Sequence, residues 1–142
     1  MAQYLIDSHI FFWAIDAPER LLKTERLILE DAGIDVAVSV ASFWELSIKL
    51  AKGLLRVGPG KSPVGGDYFA RQARIAGFSV LPVEAIEAEY VRVLPKIHGD
   101  PFDRLIIAQA LRTSRIMITR DEVFANYPGI QMFVPLNEVR AR

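Results

Sequence analysis

Four carboxylates in this chain have the types and spacing to do chemistry together: Asp7, Glu45, Asp103 and Asp121. Asp7 directly follows the apolar run Tyr4-Leu5-Ile6. Asp121 lies two residues after Thr119, at the end of Ile116-Met117-Ile118. In open α/β sheets ligands bind beyond the carboxyl ends of the strands, so acids at those two places face one crevice if the strands are neighbours. Either acid alone reads more readily as a turn-forming or helix-capping aspartate. Finding both at equivalent places shifts the balance toward a site.

Glu45 and Asp103 complete the set, each with a competing explanation. Ser42-Phe43-Trp44-Glu45 matches a capping box, in which the glutamate reaches back to a free backbone N–H. A cap is as good a reading of Glu45 as a ligand. Asp100-Pro101-Phe102-Asp103 is a helix start, with Asp100 as N-cap and Pro101 at the first helical position. Asp103 then falls in the first turn, where the helix dipole favours negative charge. Its apolar neighbours Phe102, Ile106 and Ile107 mark it as half-buried, and such a carboxylate needs a compensating partner.

Carboxylates gathered in one crevice repel one another and raise each other's pKa. A divalent cation resolves the conflict, and oxygen-only ligands select a hard ion, Mg2+ or Mn2+, over zinc. Such a centre suits phosphoryl chemistry and needs no histidine or cysteine nucleophile.

The elements that must position these acids alternate. Strand-like runs fall at Tyr4 to Ile6, Val36 to Ser39, Phe78 to Leu81 and Ile116 to Thr119, with a weaker one at Met132 to Val134. Between them, helical patterns are expected from Leu21 to Gly33, Ser42 to Lys52, Tyr68 to Ala76, around Ile86 to Leu94, and from Pro101 to Thr113. The last is apolar nearly all round, as in a buried helix. Strands separated by helices imply parallel pairing through right-handed crossovers, hence a three-layer α/β/α sheet. With no repeat, linker or low-complexity segment, residues 1–142 are expected to form one domain.

Composition narrows the classes. Apolar residues make up 51% of the chain and charged residues 24%, so it should fold and not behave as a disordered tail. The absence of cysteine removes disulfides and thiolate zinc sites and fits a reducing cytosol. His9 and His98 are too few for a histidine-built zinc site, and both read as structural. No run approaches the ~20 apolar residues of a membrane helix, and Ile10 to Ile15 lacks the basic lead of a signal peptide. A cytoplasmic protein is the default expectation. The 17 basic and 17 acidic residues cancel, a balance that permits a basic rim around an acidic pit without requiring it.

The residues also form a recognisable set. Leu5-Ile6-Asp7-Ser8-His9 with Trp13, and Ser39-Val40-Ala41-Ser42-Phe43-Trp44-Glu45, resemble the first two motifs of PIN-domain proteins. His98-Gly99-Asp100-Pro101-Phe102-Asp103-Arg104 leading into Ile107-Ala108-Gln109-Ala110, then Thr119-Arg120-Asp121 with Phe124 and Tyr127, resemble the last two. The set is in order, spans Leu5 to Tyr127, and is most similar to VapC-type toxins of toxin–antitoxin pairs. The resemblance implies a sheet ordered 3-2-1-4-5, with Asp7 and Asp121 on adjacent strands. It implies that Asp7, Glu45, Asp103 and Asp121 hold Mg2+ or Mn2+, that Asp100 supports them, and that Thr119 makes an outer contact. It implies endonucleolytic cleavage of structured RNA (tRNA or ribosomal RNA loops) to 5′-phosphate and 3′-hydroxyl ends, a cognate antitoxin that blocks the groove, and a homodimer.

Other features read modestly. Lys49, Lys52, Arg56 and Lys61 could track an RNA backbone but read slightly better as solvated surface, and Phe11, Phe12, Trp13, Phe43 and Trp44 are expected in the core or a subunit contact. The Gly58 to Gly66 stretch carries no phosphate-loop signature. A phospho-acceptor domain would want an acidic pair near Asp7 and a late lysine. A haloacid-dehalogenase-type phosphatase would want Asp-x-Asp where Asp7-Ser8-His9 stands. The stronger rival is a PIN fold that has lost its chemistry and only binds a partner, against which the intact quartet argues.

Overall fold

A computed structural model of the chain describes residues 2–135. The apolar runs become five strands: β1 (Gln3–Ile6), β2 (Asp35–Ser39), β3 (Ser79–Leu81), β4 (Ile116–Ile118) and β5 (Gln131–Met132). All neighbours pair in parallel, in the order β3-β2-β1-β4-β5. This is the 3-2-1-4-5 sheet that the resemblance implied. From β1 the chain builds outward to β2 and β3, then returns to lay β4 and β5 on the other side. The carboxyl ends of β1 and β4 therefore form the topological switch point, where such sheets bind ligands.

Side chains alternate across the pleat, and both faces are covered. Ile6, Val36, Val38 and Ile118 pack on one face with Ile10, Phe11, Leu46, Phe69 and Ala73. Leu5, Ala37 and Met117 pack on the other with Ala41, Ile106, Ile107 and Phe124. The first group draws on α1 (Ser8–Asp16), α3 (Val40–Ala51) and α4 (Tyr68–Ile75), the second chiefly on α6 (Pro101–Thr113). Each aliphatic side chain so enclosed contributes roughly 1.5–3 kcal/mol. The two cores on one sheet make the expected α/β/α sandwich.

The α6 limits are the expected ones. Asp100 caps its start and Ser114, in the left-handed conformation at φ 56°, ends it. Its buried Gln109 donates to the Pro82 carbonyl at 3.0 Å, which ties the helix to the loop after β3. Elsewhere the boundaries moved. The stripe from Leu21 to Gly33 is not one helix: a 3-10 turn (Pro18–Arg20) precedes α2 (Lys23–Leu29). Glu25 causes the late start, because its Oε1 accepts the Leu22 N–H at 2.7 Å and caps the helix there. The edge strand β5 lies a residue earlier than Met132 to Val134, although the Phe133 N–H still reaches the Met117 carbonyl at 2.9 Å. The short helix α5 (Ala85–Tyr90) and a 3-10 turn (Val91–Val93) replace the expected helix to Leu94.

Candidate metal centre

Asp7 continues the β1 ladder by donating its N–H to the Ile118 carbonyl at 3.3 Å, and the chain then turns into α1. Its carboxylate divides its work. Oδ1 accepts the Ile10 N–H at 2.9 Å, capping α1, while Oδ2 accepts the Thr119 hydroxyl. That hydroxyl in turn accepts the Asp121 N–H at 3.0 Å. Thr119 thus couples the residue after β1 to the residues after β4. Asp121 divides its oxygens in the same way: Oδ1 accepts the Val123 N–H at 3.0 Å, opening the 3-10 turn Glu122–Asn126, and Oδ2 lies 2.8 Å from His98 Nε2. Capping is real at both aspartates, yet it occupies only one oxygen of each.

Asp7, Asp103 and Asp121 line one cleft of about 380 Å3 with His9, Trp13 and Arg120. Asp103 enters from the first turn of α6, and its Oδ2 also faces His98 Nε2, at 3.0 Å. Burial, together with the charges of Asp100, Asp7 and Glu45, pushes the Asp103 carboxyl up to about 7, against a smaller downward pull from His98. Asp7 is raised as well. Burial is the main cause, and the Asp121 charge adds to it, opposed by the bonds from Thr119 and Ile10 and by His9. The acids behave as a crowded, partly dehydrated group.

Glu45 stands beside this cleft and not in its lining. It is only 5% exposed and close enough for its charge to act on Asp103. Ser39 is the cap of α3, accepting the Ala41 N–H at 3.0 Å, so Glu45 sits in mid-helix and makes no capping box. Ser42, the supposed cap, instead bonds the Ser8 hydroxyl at 2.9 Å and ties α3 to α1. Glu45 Oε2 is held by Lys49 Nζ at 3.0 Å, while the buried Oε1 has no hydrogen-bond partner among the described residues. A ligand oxygen has that character; a cap would not. Asp100 is a cap, as expected, its Oδ1 accepting the Phe102 and Asp103 N–H groups at 2.8 and 3.2 Å.

The sequence reading passed over two residues that this geometry engages. Lys49 is the partner of Glu45 and not merely a solvated lysine. Its place one helical turn after Glu45 was the signal. His98, read as structural, places Nε2 against two of the carboxylates. Trp44 is no core residue either: it is 59% exposed, its ring edge-on to Phe102 at 4.9 Å. Trp13 walls the cleft with the guanidinium groups of Arg20 and Arg120 over its ring, at 5.0 and 5.1 Å from its centroid. Arg120 is anchored on the buried Glu25 at 2.6 Å.

The PIN-domain model matches residues 4–130. The chain belongs to the PIN-domain family. Its sequence is 28% identical over 123 residues to Ribonuclease VapC22 of Mycobacterium tuberculosis, covering 85% of this chain and 88% of that protein. Among solved structures, VapBC2 from Rickettsia felis, bound to a DNA fragment from its promoter, superposes with a TM-score of 0.64 at 18% identity. That match covers 92% of this chain and 96% of the other. FitAcB from Neisseria gonorrhoeae gives a TM-score of 0.58 at 23% identity, over 94% and 99% of the two chains. These structures share the PIN fold with this chain, including the sheet that carries Asp7 and Asp121 to adjacent strand ends.

Proposed function

We propose that this PIN domain is a divalent-metal-dependent endoribonuclease and the toxin of a toxin–antitoxin pair. The observation that carries the reading is the acidic group itself: a buried Glu45 oxygen without a partner among the described residues, beside an Asp103 carboxyl raised to about 7. Such a set is costly as protein alone and suits a hard cation. Asp7, Glu45, Asp103 and Asp121 would hold Mg2+ or Mn2+, with Asp100 and Thr119 in support. The bound ion would polarise the scissile phosphate, acidify a water and stabilise charge on the leaving oxygen.

The protein's own part is to fix oxygens and exclude solvent. Thr119 aims Asp7, the Val123 N–H fixes Asp121, and Lys49 leaves Glu45 one free oxygen. Trp13 and Arg120 form the cleft wall, where the guanidinium lies near an arriving phosphate. A structured RNA such as tRNA or a ribosomal RNA loop is the substrate in this reading, and the products carry 5′-phosphate and 3′-hydroxyl ends. The relation to Ribonuclease VapC22 and to complexes of the VapBC type supports RNA cleavage and a cognate antitoxin. A homodimer, a cytoplasmic setting and a single domain over residues 1–142 belong to the same proposal.

The test is cleavage of structured RNA by the purified protein with Mn2+ and with EDTA, followed by sequencing of both product ends. Metal-dependent cutting to 5′-phosphate ends is expected. A 2′,3′-cyclic phosphate would identify the RNA's own 2′-hydroxyl as nucleophile and overturn the mechanism.

A further inference from the structure

His98 occupies an unusual place in this site. Its Nε2 lies 3.0 Å from Asp103 Oδ2 and 2.8 Å from Asp121 Oδ2. These three side chains offer donor atoms within 4.8 Å of one another, a grouping that could hold one ion. Spacing alone would make His98 a third ligand. Its other nitrogen argues differently. Nδ1 accepts the Asp100 backbone N–H at 3.1 Å, and a nitrogen that accepts a hydrogen bond carries no proton. The neutral ring therefore bears its proton on Nε2, where there is no lone pair for a metal. To ligate through Nε2 the proton would have to move to Nδ1 and break the Asp100 contact.

The backbone makes that exchange harder. The His98 N–H donates to the Tyr127 hydroxyl at 2.8 Å, and Arg104 reaches the His98 carbonyl, that same hydroxyl, and the Val91 and Pro95 carbonyls. The loop carrying the ring is clamped to α6. Asp121, for its part, has Oδ1 on the Val123 N–H and Oδ2 on His98. An ion that takes Asp121 Oδ2 through the lone pair facing His98 must displace the imidazole N–H.

We infer that His98 is a positioning residue and not a ligand: its Nε2–H holds Asp121 beside Asp103 while the ion is away and competes with the ion for the Asp121 oxygen. This rests on the metal-site reading above and goes beyond it, because it assigns a residue that sets ion affinity from outside the donor set. The strut stands between two carboxylates. It thereby keeps the empty pair close to ion-binding geometry at the expense of tighter binding.

The test uses the intact protein. Nitrogen-15 correlation spectra of the ion-free wild type should show His98 with Nε2 protonated and Nδ1 bare. Titration with Mg2+, which is diamagnetic, should shift the Nε2 resonance and expose its proton to exchange while Nδ1 stays unprotonated. Mn2+ binding followed by electron paramagnetic resonance should be tighter in His98→Ala than in wild type, by roughly tenfold if one charge-assisted hydrogen bond is removed from competition. Weaker binding in His98→Ala, or an Nδ1-protonated ring in the Mg2+-loaded wild type, would make His98 a ligand and overturn the inference. Equal Mn2+ binding by the two proteins would overturn it too. Failure of the wild type to bind any Mn2+ would sink the metal reading itself, and is distinguishable because the other outcomes all require a bound ion. The wild-type spectra decide the matter even where His98→Ala folds poorly.

Discussion

Lys49 Nζ sits 3.0 Å from one oxygen of Glu45, and the other oxygen of that buried carboxylate has no partner among the described residues. The lysine compensates half the group and leaves the remainder to whatever enters the site. Glu45→Gln keeps the shape and removes the charge. With no capping role to lose, it should leave thermal stability nearly unchanged and cut RNA cleavage by orders of magnitude. Normal cleavage by Glu45→Gln would take Glu45 out of the site.

The ion should also be visible in stability. Ligand binding to the folded state adds RT ln(1 + [L]/Kd), so Mg2+ or Mn2+ should raise the melting temperature in a concentration-dependent way. Asp7→Asn combined with Asp103→Asn should remove most of that rise in differential scanning fluorimetry. An undiminished rise in the double variant would place the ion elsewhere.

Asp103 gives the ion-free protein a pH signature. Its folded-state pKa of about 7 stands above the ordinary value of 3.8, so folding favours the protonated form. That contribution is complete below about pH 4 and is lost as pH rises through 7. Asp7, also raised, acts in the same direction. Without divalent ions the protein should therefore lose stability between pH 5 and pH 8. Asp103→Asn should flatten that slope, and saturating Mg2+ should reverse it. A slope unchanged in Asp103→Asn would assign the effect to another group.

Asp100 separates capping from charge. Asp100→Asn keeps an acceptor for the Phe102 and Asp103 N–H groups and should retain stability, whereas Asp100→Ala should cost about 0.5–2 kcal/mol in urea unfolding. Asp100→Asn should also lower the Asp103 pKa, since the Asp100 charge helps to raise it. Carbon-13 titration of the Asp103 carboxyl reads this directly, and an unmoved pKa would refute the coupling.

Arg104 should prove structural, despite standing next to Asp103. Its guanidinium makes hydrogen bonds at 2.6 Å to the Val91 carbonyl and 2.9 Å to the Pro95 carbonyl. Lysine cannot span that fork. Arg104→Lys should cost about 1–3 kcal/mol through unsatisfied carbonyls and speed hydrogen exchange at the His98 amide. Unchanged exchange there would show that the loop holds without the clamp.

What could be read from sequence follows a physical division. Local chemistry was legible: Asp100 and Pro101 announced α6, and β-branched runs announced β1, β2 and β4. The resemblance supplied strand order and the acidic set. Failures came where one pattern serves two structures. Ser42 and Glu45 have capping-box spacing, but that spacing also recurs one turn inside any helix, and Ser39 had already capped α3. Ile10 to Ile15 hid α1 because helices and sheet cover so much of it that no polar stripe remained. His98 read as structural, and which groups it holds depends on where the turn after β4 brings Asp121, which no local window contains.

Thr119 and Asp7 touch across 112 positions of chain. During synthesis β1 emerges first, yet the strand that completes its site belongs to the far end of the domain. Contacts so remote in sequence cannot form piecemeal. While a ribosome is still elongating toward residue 121, the nascent chain exposes Asp7 with neither its threonine partner nor the second strand-end acid. The cleft is therefore incomplete until the chain has been made past residue 121. This delay follows from strand order alone.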